Sequence, residues 1–189
     1  LHIEKNGDAA SCIDCHESHN VLKGTDSRST VNRLNIPNTC GKCHSAIQSE
    51  FSESIHGQLV AKGNGDAPSC TNCHGEHNIL RADDPNSPVA FQNVSREICS
   101  PCHESVALSE KYGMAANRYK TFSESYHGLA LSGGSATVAN CGSCHGVHNI
   151  KPSSDPTSMI HKDNLVETCG SCHPGANETF TQGTIHVTL

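Results

Sequence analysis

The feature that most constrains this chain is a motif that occurs six times: two cysteines separated by two residues and followed at once by a histidine. In order these are Cys12, Cys15 and His16; Cys40, Cys43 and His44; Cys70, Cys73 and His74; Cys99, Cys102 and His103; Cys141, Cys144 and His145; and Cys169, Cys172 and His173. Together they use all 12 cysteines. Two thiols three positions apart on a helical turn reach the two vinyl groups of one haem as thioethers, and the next residue places an imidazole on its iron. Disulfides or Cys₄ zinc ribbons also use paired Cys-x-x-Cys units, but neither needs the histidine. With 14 histidines in 189 residues, the chance that one follows all six pairs at random is on the order of one in ten million. The motifs therefore predict six covalently attached haem c groups, with His16, His44, His74, His103, His145 and His173 as proximal iron ligands.

Composition agrees with large prosthetic groups. The chain has no tryptophan, 4% aromatic and 34% hydrophobic residues, whereas a domain of this length buries about 70% of its unfolded surface, mostly with large apolar side chains. Haems would supply that missing interior. No run of 18 or more apolar residues is present, so nothing here spans a membrane and any membrane association would come from a part not in this chain. The chain opens at Leu1 without a basic-then-apolar leader, as expected of an exported protein whose signal peptide has been removed or of a trimmed sequence. Its formal charge is −6 before any haem propionates are counted. An acidic surface favours basic partners and argues against nucleic acid.

The motifs fall into a threefold repeat. Cys12, Cys70 and Cys141 open similar blocks, each running from the motif into His-Asn and an aliphatic residue: His19-Asn20-Val21, His77-Asn78-Ile79 and His148-Asn149-Ile150. An aspartate follows the leading cysteine by 14 residues each time, at Asp26, Asp84 and Asp155, among polar turn residues that read as solvated connectors. The second motif comes 28, 29 and 28 residues after the first. Three dihaem modules result, over residues 1–55, 56–126 and 127–189, within one continuous unit. After the second motif of module one, His44, Ile47, Phe51 and Ile55 form a single helical stripe, with Gly57 placed to end the helix. Phe51-Ser-Glu-Ser-Ile-His56-Gly57 recurs as Phe122-Ser-Glu-Ser-Tyr-His127-Gly128, with a looser echo ending at His186. Module two carries an insertion at about 105–120 that reads as a surface loop extending a helix, with a docking element or a ligand from Met114 as the other readings. The fold expected is mainly α with extensive coil, organised by haem and with essentially no sheet.

Eight histidines remain for six distal positions. His19, His77 and His148 lie three residues after a proximal histidine, on its side of that haem, so their expected target is the second haem of the same module. His56 and His127 precede a leading cysteine by 14 residues and His2 by 10, and would cap the first haem of the module they precede. The alternative register pairs His56, His127 and His186 with the haems before them and leaves His2 spare. His161 has no counterpart in the other modules and reads as an ordinary surface histidine.

The repeated Cys-x-x-Cys-His-x-x-His-Asn block with its downstream partner motif resembles the doubled modules of bacterial multihaem cytochromes, such as the pentahaem electron donor to cytochrome c nitrite reductase, decahaem outer-membrane conduits and filament-forming extracellular cytochromes. The resemblance implies bis-histidine iron, closely spaced haems, little regular secondary structure and a periplasmic or extracellular location. Such iron has no open position for a substrate, so the expected function is outer-sphere electron transfer at low potential between redox proteins, a quinol oxidoreductase or other multihaem cytochromes, or to an extracellular acceptor. Catalytic residues are not expected. A multihaem reductase of a small nitrogen or sulfur oxyanion, and a subunit of a cytochrome homopolymer, are the alternatives.

Overall fold

A computed structural model of the 189-residue chain describes residues 9–186. Among these it is helical with much coil and holds no strand, the fold class expected from the sequence. Isolated helices this short are marginal in water, so each depends on what holds its ends. By internal packing the chain divides into two units, Leu1–Asn72 and Cys73–Leu189.

In the first unit, helix α1 (Cys12–His16) leads through a connector to α2 (Ile36–Gly41), followed by α3 (Ser45–Glu53) and α4 (Ile55–Ala61). The helix α5 (Cys70–His74) contains the division. In the second unit a second connector leads into a π-helical turn (Val94–Cys99) and α6 (Ser100–His103), then α7 (Val106–Tyr112), α8 (Arg118–Ser123), α9 (Tyr126–Ser132) and α10 (Cys141–His145). A third connector ends in α11 (Leu165–Gly170), and a 3₁₀ turn (Phe180–Gln182) closes the described chain.

The connectors, read from the sequence as solvated loops, are ordered spirals. In module three the amides of Asp155, Ser158, His161 and Asn164 each donate to the carbonyl three residues earlier, and modules one and two repeat the pattern from Asp26 and Asp84. The aspartate caps its own turn, as Asp155 does by accepting from the Thr157 amide at 2.8 Å. Ser29, Ser87 and Ser158, one turn on, are buried, and their hydroxyls donate back to the carbonyls of Leu22, Leu80 and Lys151. Asn35, Asn93 and Asn164 then tie the spiral shut by donating from one amide to two connector carbonyls, in Asn164 those of Pro156 and Ser158 at 2.9 and 2.8 Å. Only the aspartate of this set stood out in the sequence.

The single stripe expected across residues 44–55 is broken. Ser54 ends α3 and starts α4: its hydroxyl donates to the Phe51 carbonyl and accepts from the Gly57 amide at 2.9 Å. Gly57 therefore belongs to the first turn of α4 rather than to a helix end. A Cβ there would run into the Phe51 carbonyl, so glycine is what lets the second helix leave against the first. Ser125 and Gly128 make the same joint between α8 and α9.

The insertion of module two holds helix α7 and the start of α8, joined by the non-helical residues 113–117. Ser105 caps α7 by accepting from the Leu108 amide, and Gly113 ends it in the left-handed region. The chain then enters α8, where the Lys120 amide donates to the Glu104 carboxylate at 2.9 Å.

Little of this is held by apolar burial. Among the described residues the buried apolar side chains are Ile36, Val60, Ala67, Ala90 and Phe122, while the largest fully buried side chains are the serines 54, 69, 87 and 95.

Candidate haem attachment sites

The six motifs adopt two local structures. The first motif of each module is a free-standing helical turn, α1, α5 or α10, closed at its start by the residue before the leading cysteine. The amide and hydroxyl of Ser11 both donate to the Asp14 carboxylate at 2.7 and 2.6 Å. Ser69 does the same to the side-chain carbonyl of Asn72. In α10 the pairing is reciprocal: the Asn140 amide donates to the Ser143 hydroxyl and its side-chain carbonyl accepts from the Ser143 amide. Residues at these two places cap helix starts whatever else they do, which is why a motif too short to sustain a helix still forms one. The residue after each proximal histidine has positive φ: Glu17 at 62°, Gly75 at 78° and Gly146 at 77°.

The second motifs are the continuation of helices launched by the connectors. Cys40 and Cys169 lie in the last turns of α2 and α11, and the amides of His44 and His173 donate to the Cys40 and Cys169 carbonyls at 3.0 and 2.9 Å. Cys99 ends the π-helical turn and passes directly to α6, which ends at His103. The helix begins each time behind the doubly donating asparagine, so the connector sets where the motif lands.

None of the 12 cysteines is joined in a disulfide, and none is fully buried. They do not gather in fours, and among the described residues no group of three or more cysteine, histidine or acidic side chains converges to chelate a metal. What adjoins instead is one motif and the next. In the first unit Cys70 hydrogen bonds Cys40 and brings its thiol down to about 7, and Cys15 is raised by burial and then by Cys40. In the second, Cys99 does the same for Cys141, also brought down to about 7, and is itself pushed up by that bond. Burial chiefly raises Cys73 and Cys144, with Cys102 and Cys169 next as causes. These shifts belong to thiols and would disappear in thioethers; the proximity would not.

The joint between modules is also repeated. Arg33 and Phe91 stand 21 residues after Cys12 and Cys70. The Arg33 guanidinium donates to the Ala67 carbonyl, just ahead of Cys70. The Phe91 carbonyl accepts from the Asn140 side chain at 2.9 Å, just ahead of Cys141, whose amide donates to Ser95 at 3.0 Å. In both units the following first motif is pinned to the connector before it.

Three proximal histidines of the second unit each face another histidine from a distant stretch of sequence. His74 and His148 are stacked with centroids 6.1 Å apart, His173 and His127 lie 6.0 Å apart, and His145 and His186 lie 6.3 Å apart. Two imidazoles held on opposite sides of one metal, with metal–nitrogen bonds of about 2 Å, put their ring centroids about 6 Å apart. By centroid spacing, each pair fits two imidazoles on opposite sides of one metal. The partners differ from those expected in the sequence. His148 meets His74 of the preceding module rather than His173. His127 meets His173, the second proximal histidine of its own module, rather than His145 or His103. His186, the echo position, faces His145.

The electrostatics suit ligation by neutral imidazole. Burial holds His145 down to about 4, helped by His186, His103 and Arg118. Burial also lowers His103, then Arg118; it lowers His127, then His173; and it lowers His186, then Arg118, partly opposed by the bond to the Arg118 carbonyl. Of the other candidates, His56 is half-buried in α4, whereas His19 and His77 are exposed beyond α1 and α5. His2 lies outside the described residues. Met114 follows Gly113, and its amide donates to the Ser109 carbonyl. His161, read as a surface residue, is only 15% exposed and sits in the connector spiral, its Nδ1 accepting from the Asp163 amide at 3.3 Å.

Over 163 residues the chain is 23% identical to the cytochrome c-type protein NrfB of Escherichia coli O6:H1, strain CFT073, a match covering 81% of this chain and 74% of that one. No family model matches the chain, and no solved structure matches it. The similarity supports a place for this chain among c-type cytochromes. Among the described residues no helix is long and apolar enough to cross a membrane.

Proposed function

We propose that this chain is a hexahaem c-type cytochrome that carries electrons one at a time along a file of bis-histidine irons, in the periplasm or outside the cell. Haem c bound on the six motifs supplies one-electron iron redox chemistry. The twelve cysteines would anchor it as thioethers. His16, His44, His74, His103, His145 and His173 would hold the iron from one side. His148, His127 and His186 would hold three of those irons, on His74, His173 and His145, from the other. His2, His19, His56 and His77 are the candidates for the remaining three, which leaves one spare. The observation that carries the reading is the set of three histidine pairs at 6.0 to 6.3 Å.

From this the chain's own work follows. A second imidazole leaves no position for a substrate, so the protein exchanges electrons rather than bonds. Burial favours the neutral form of the His103, His127, His145 and His186 rings, and the juxtaposed motifs, Cys15 to Cys40, Cys40 to Cys70, Cys73 to Cys102, Cys99 to Cys141 and Cys144 to Cys169, keep successive sites adjacent in chain order. Exposed apolar side chains beside the motifs, among them Ile13, Val106 and Val147 at 60 to 64%, would pack on porphyrin faces. The physiological donor and acceptor would be redox proteins with basic docking faces, complementary to the acidic chain.

The test is the mature protein's mass and spin state. Six haems by mass, a wholly low-spin ferric spectrum and no carbon monoxide adduct on reduction are expected. Fewer haems, a high-spin component or rapid adduct formation would overturn the reading.

A further inference from the structure

The insertion of module two makes a specific contact with the far end of the chain. The Nδ1 of His186 lies 3.1 Å from the Arg118 carbonyl and 3.1 Å from the Thr121 hydroxyl. Both residues belong to α8, which the insertion delivers. A carbonyl only accepts, so Nδ1 carries the ring proton and Nε2 presents its lone pair. The Thr121 hydroxyl spends its own proton on the Asn117 carbonyl at 2.8 Å, which leaves its oxygen to share the His186 N–H. Thr121 is buried at 7% exposure, so water does not compete for these bonds. The tail before His186 has no other regular element nearby than the 3₁₀ turn Phe180–Gln182, and a ring on such a segment would rotate freely without them.

We propose that the insertion is a cradle for His186: the Arg118 carbonyl and the Thr121 hydroxyl fix its tautomer and ring plane and raise its basicity toward the iron held by His145. This rests on the reading of His186 as a ligand. Thr121 is then a positioning residue, since it touches the ligand and not the iron. A ligating histidine whose second nitrogen donates to an oxygen is a stronger donor to metal, which favours the ferric state and lowers the potential.

The test is a set of variants of the haem-loaded protein, read by redox titration and by electron paramagnetic resonance. Thr121→Val is expected to keep six low-spin haems while one of six one-electron waves moves to higher potential and one low-spin signal shifts. Thr121→Ser is expected to restore both. Thr121→Ala, which adds no apolar methyl to the buried site, is expected to move the same wave the same way and serves if the valine variant matures poorly. Waves that superimpose on the wild type in the valine and alanine variants, or a serine variant that fails to restore them, would overturn the cradle. His186→Ala separates this from the ligand reading. One haem of six is expected to turn high-spin and bind carbon monoxide, and a fully low-spin alanine variant would remove His186 from the iron altogether.

Discussion

Within each module the two attachment motifs have the same five-residue pattern and reach it by different routes. The first is a free-standing turn closed by a side-chain cap, Ser11 with Asp14, Ser69 with Asn72, or Asn140 with Ser143. The second is the tail of a helix whose position is set by the connector spiral and its asparagine, Asn35, Asn93 or Asn164. Local hydrogen bonds are enough to form a turn, but not to place it. The first motif is placed by the module before it, through Ala67 or Asn140; the second is placed by its own module. A chain built this way keeps consecutive sites adjoining without a conventional core.

The comparison can be broken most strongly at the connector. Asn164→Ala removes a donor shared by the Pro156 and Ser158 carbonyls and is expected to cost about 2 kcal/mol. Hydrogen exchange should rise across Leu165–Gly170 and leave Cys141–His145 protected; equal loss in both would mean that the two motifs do not stand on separate supports. Next comes the first-motif cap. Asn140→Ala loses the cap of α10 and the bond to Phe91, with an expected cost of about 1.5 kcal/mol in a guanidinium titration. Here protection should drop at α10 and not at α11.

A gain is expected at the left-handed exit. Glu17 has φ 62° and ψ 175°, where the equivalent Gly146 has φ 77° and ψ 175°, a region that side chains with a Cβ enter only under strain. Glu17→Gly should stabilise module one by about 1 kcal/mol, and an unchanged or lower unfolding midpoint would refute it. The smallest effect is one of pH. The Ser11 hydroxyl and amide hold the Asp14 carboxyl below the ordinary aspartate range. That contribution is complete above the ordinary value and is lost as pH falls through the lowered one. Exchange at residues 11–16, corrected for intrinsic rate, should therefore quicken on acidification, and Asp14→Asn, which makes this cap as non-titrating as those of Asn72 and Asn140, should remove the acceleration.

Much of this was legible in the sequence, and what was missed was written in the same register. The motifs, the threefold repeat and the absence of an aromatic core were plain, and they led to a helical fold without sheet. The buried serines and the asparagines stand 17 and 23 residues after each leading cysteine. Both are as regular as the aspartate at 14, yet polar residues in a turn-rich stretch read as solvated, and only hydrogen bonding turns them inward. The Ser54 and Gly57 joint hid for a related reason. Helical spacing of apolar residues continues across a break that one serine makes by capping both helices.

By itself the sequence determined where the six Cys-x-x-Cys-His motifs lie, and so which residues the haem reading assigns, because that pattern is complete within five residues. It also determined the modules, because repetition is a property of the chain. The tertiary structure decided which histidine faces which. Spacing along the chain suggested that His148 would serve its own module and that His127 would serve a leading haem. In the folded second unit His148 instead faces His74, His127 faces His173 and His186 faces His145. Reach in a folded chain depends on the direction in which backbone leaves each turn, and no count of intervening residues contains that direction.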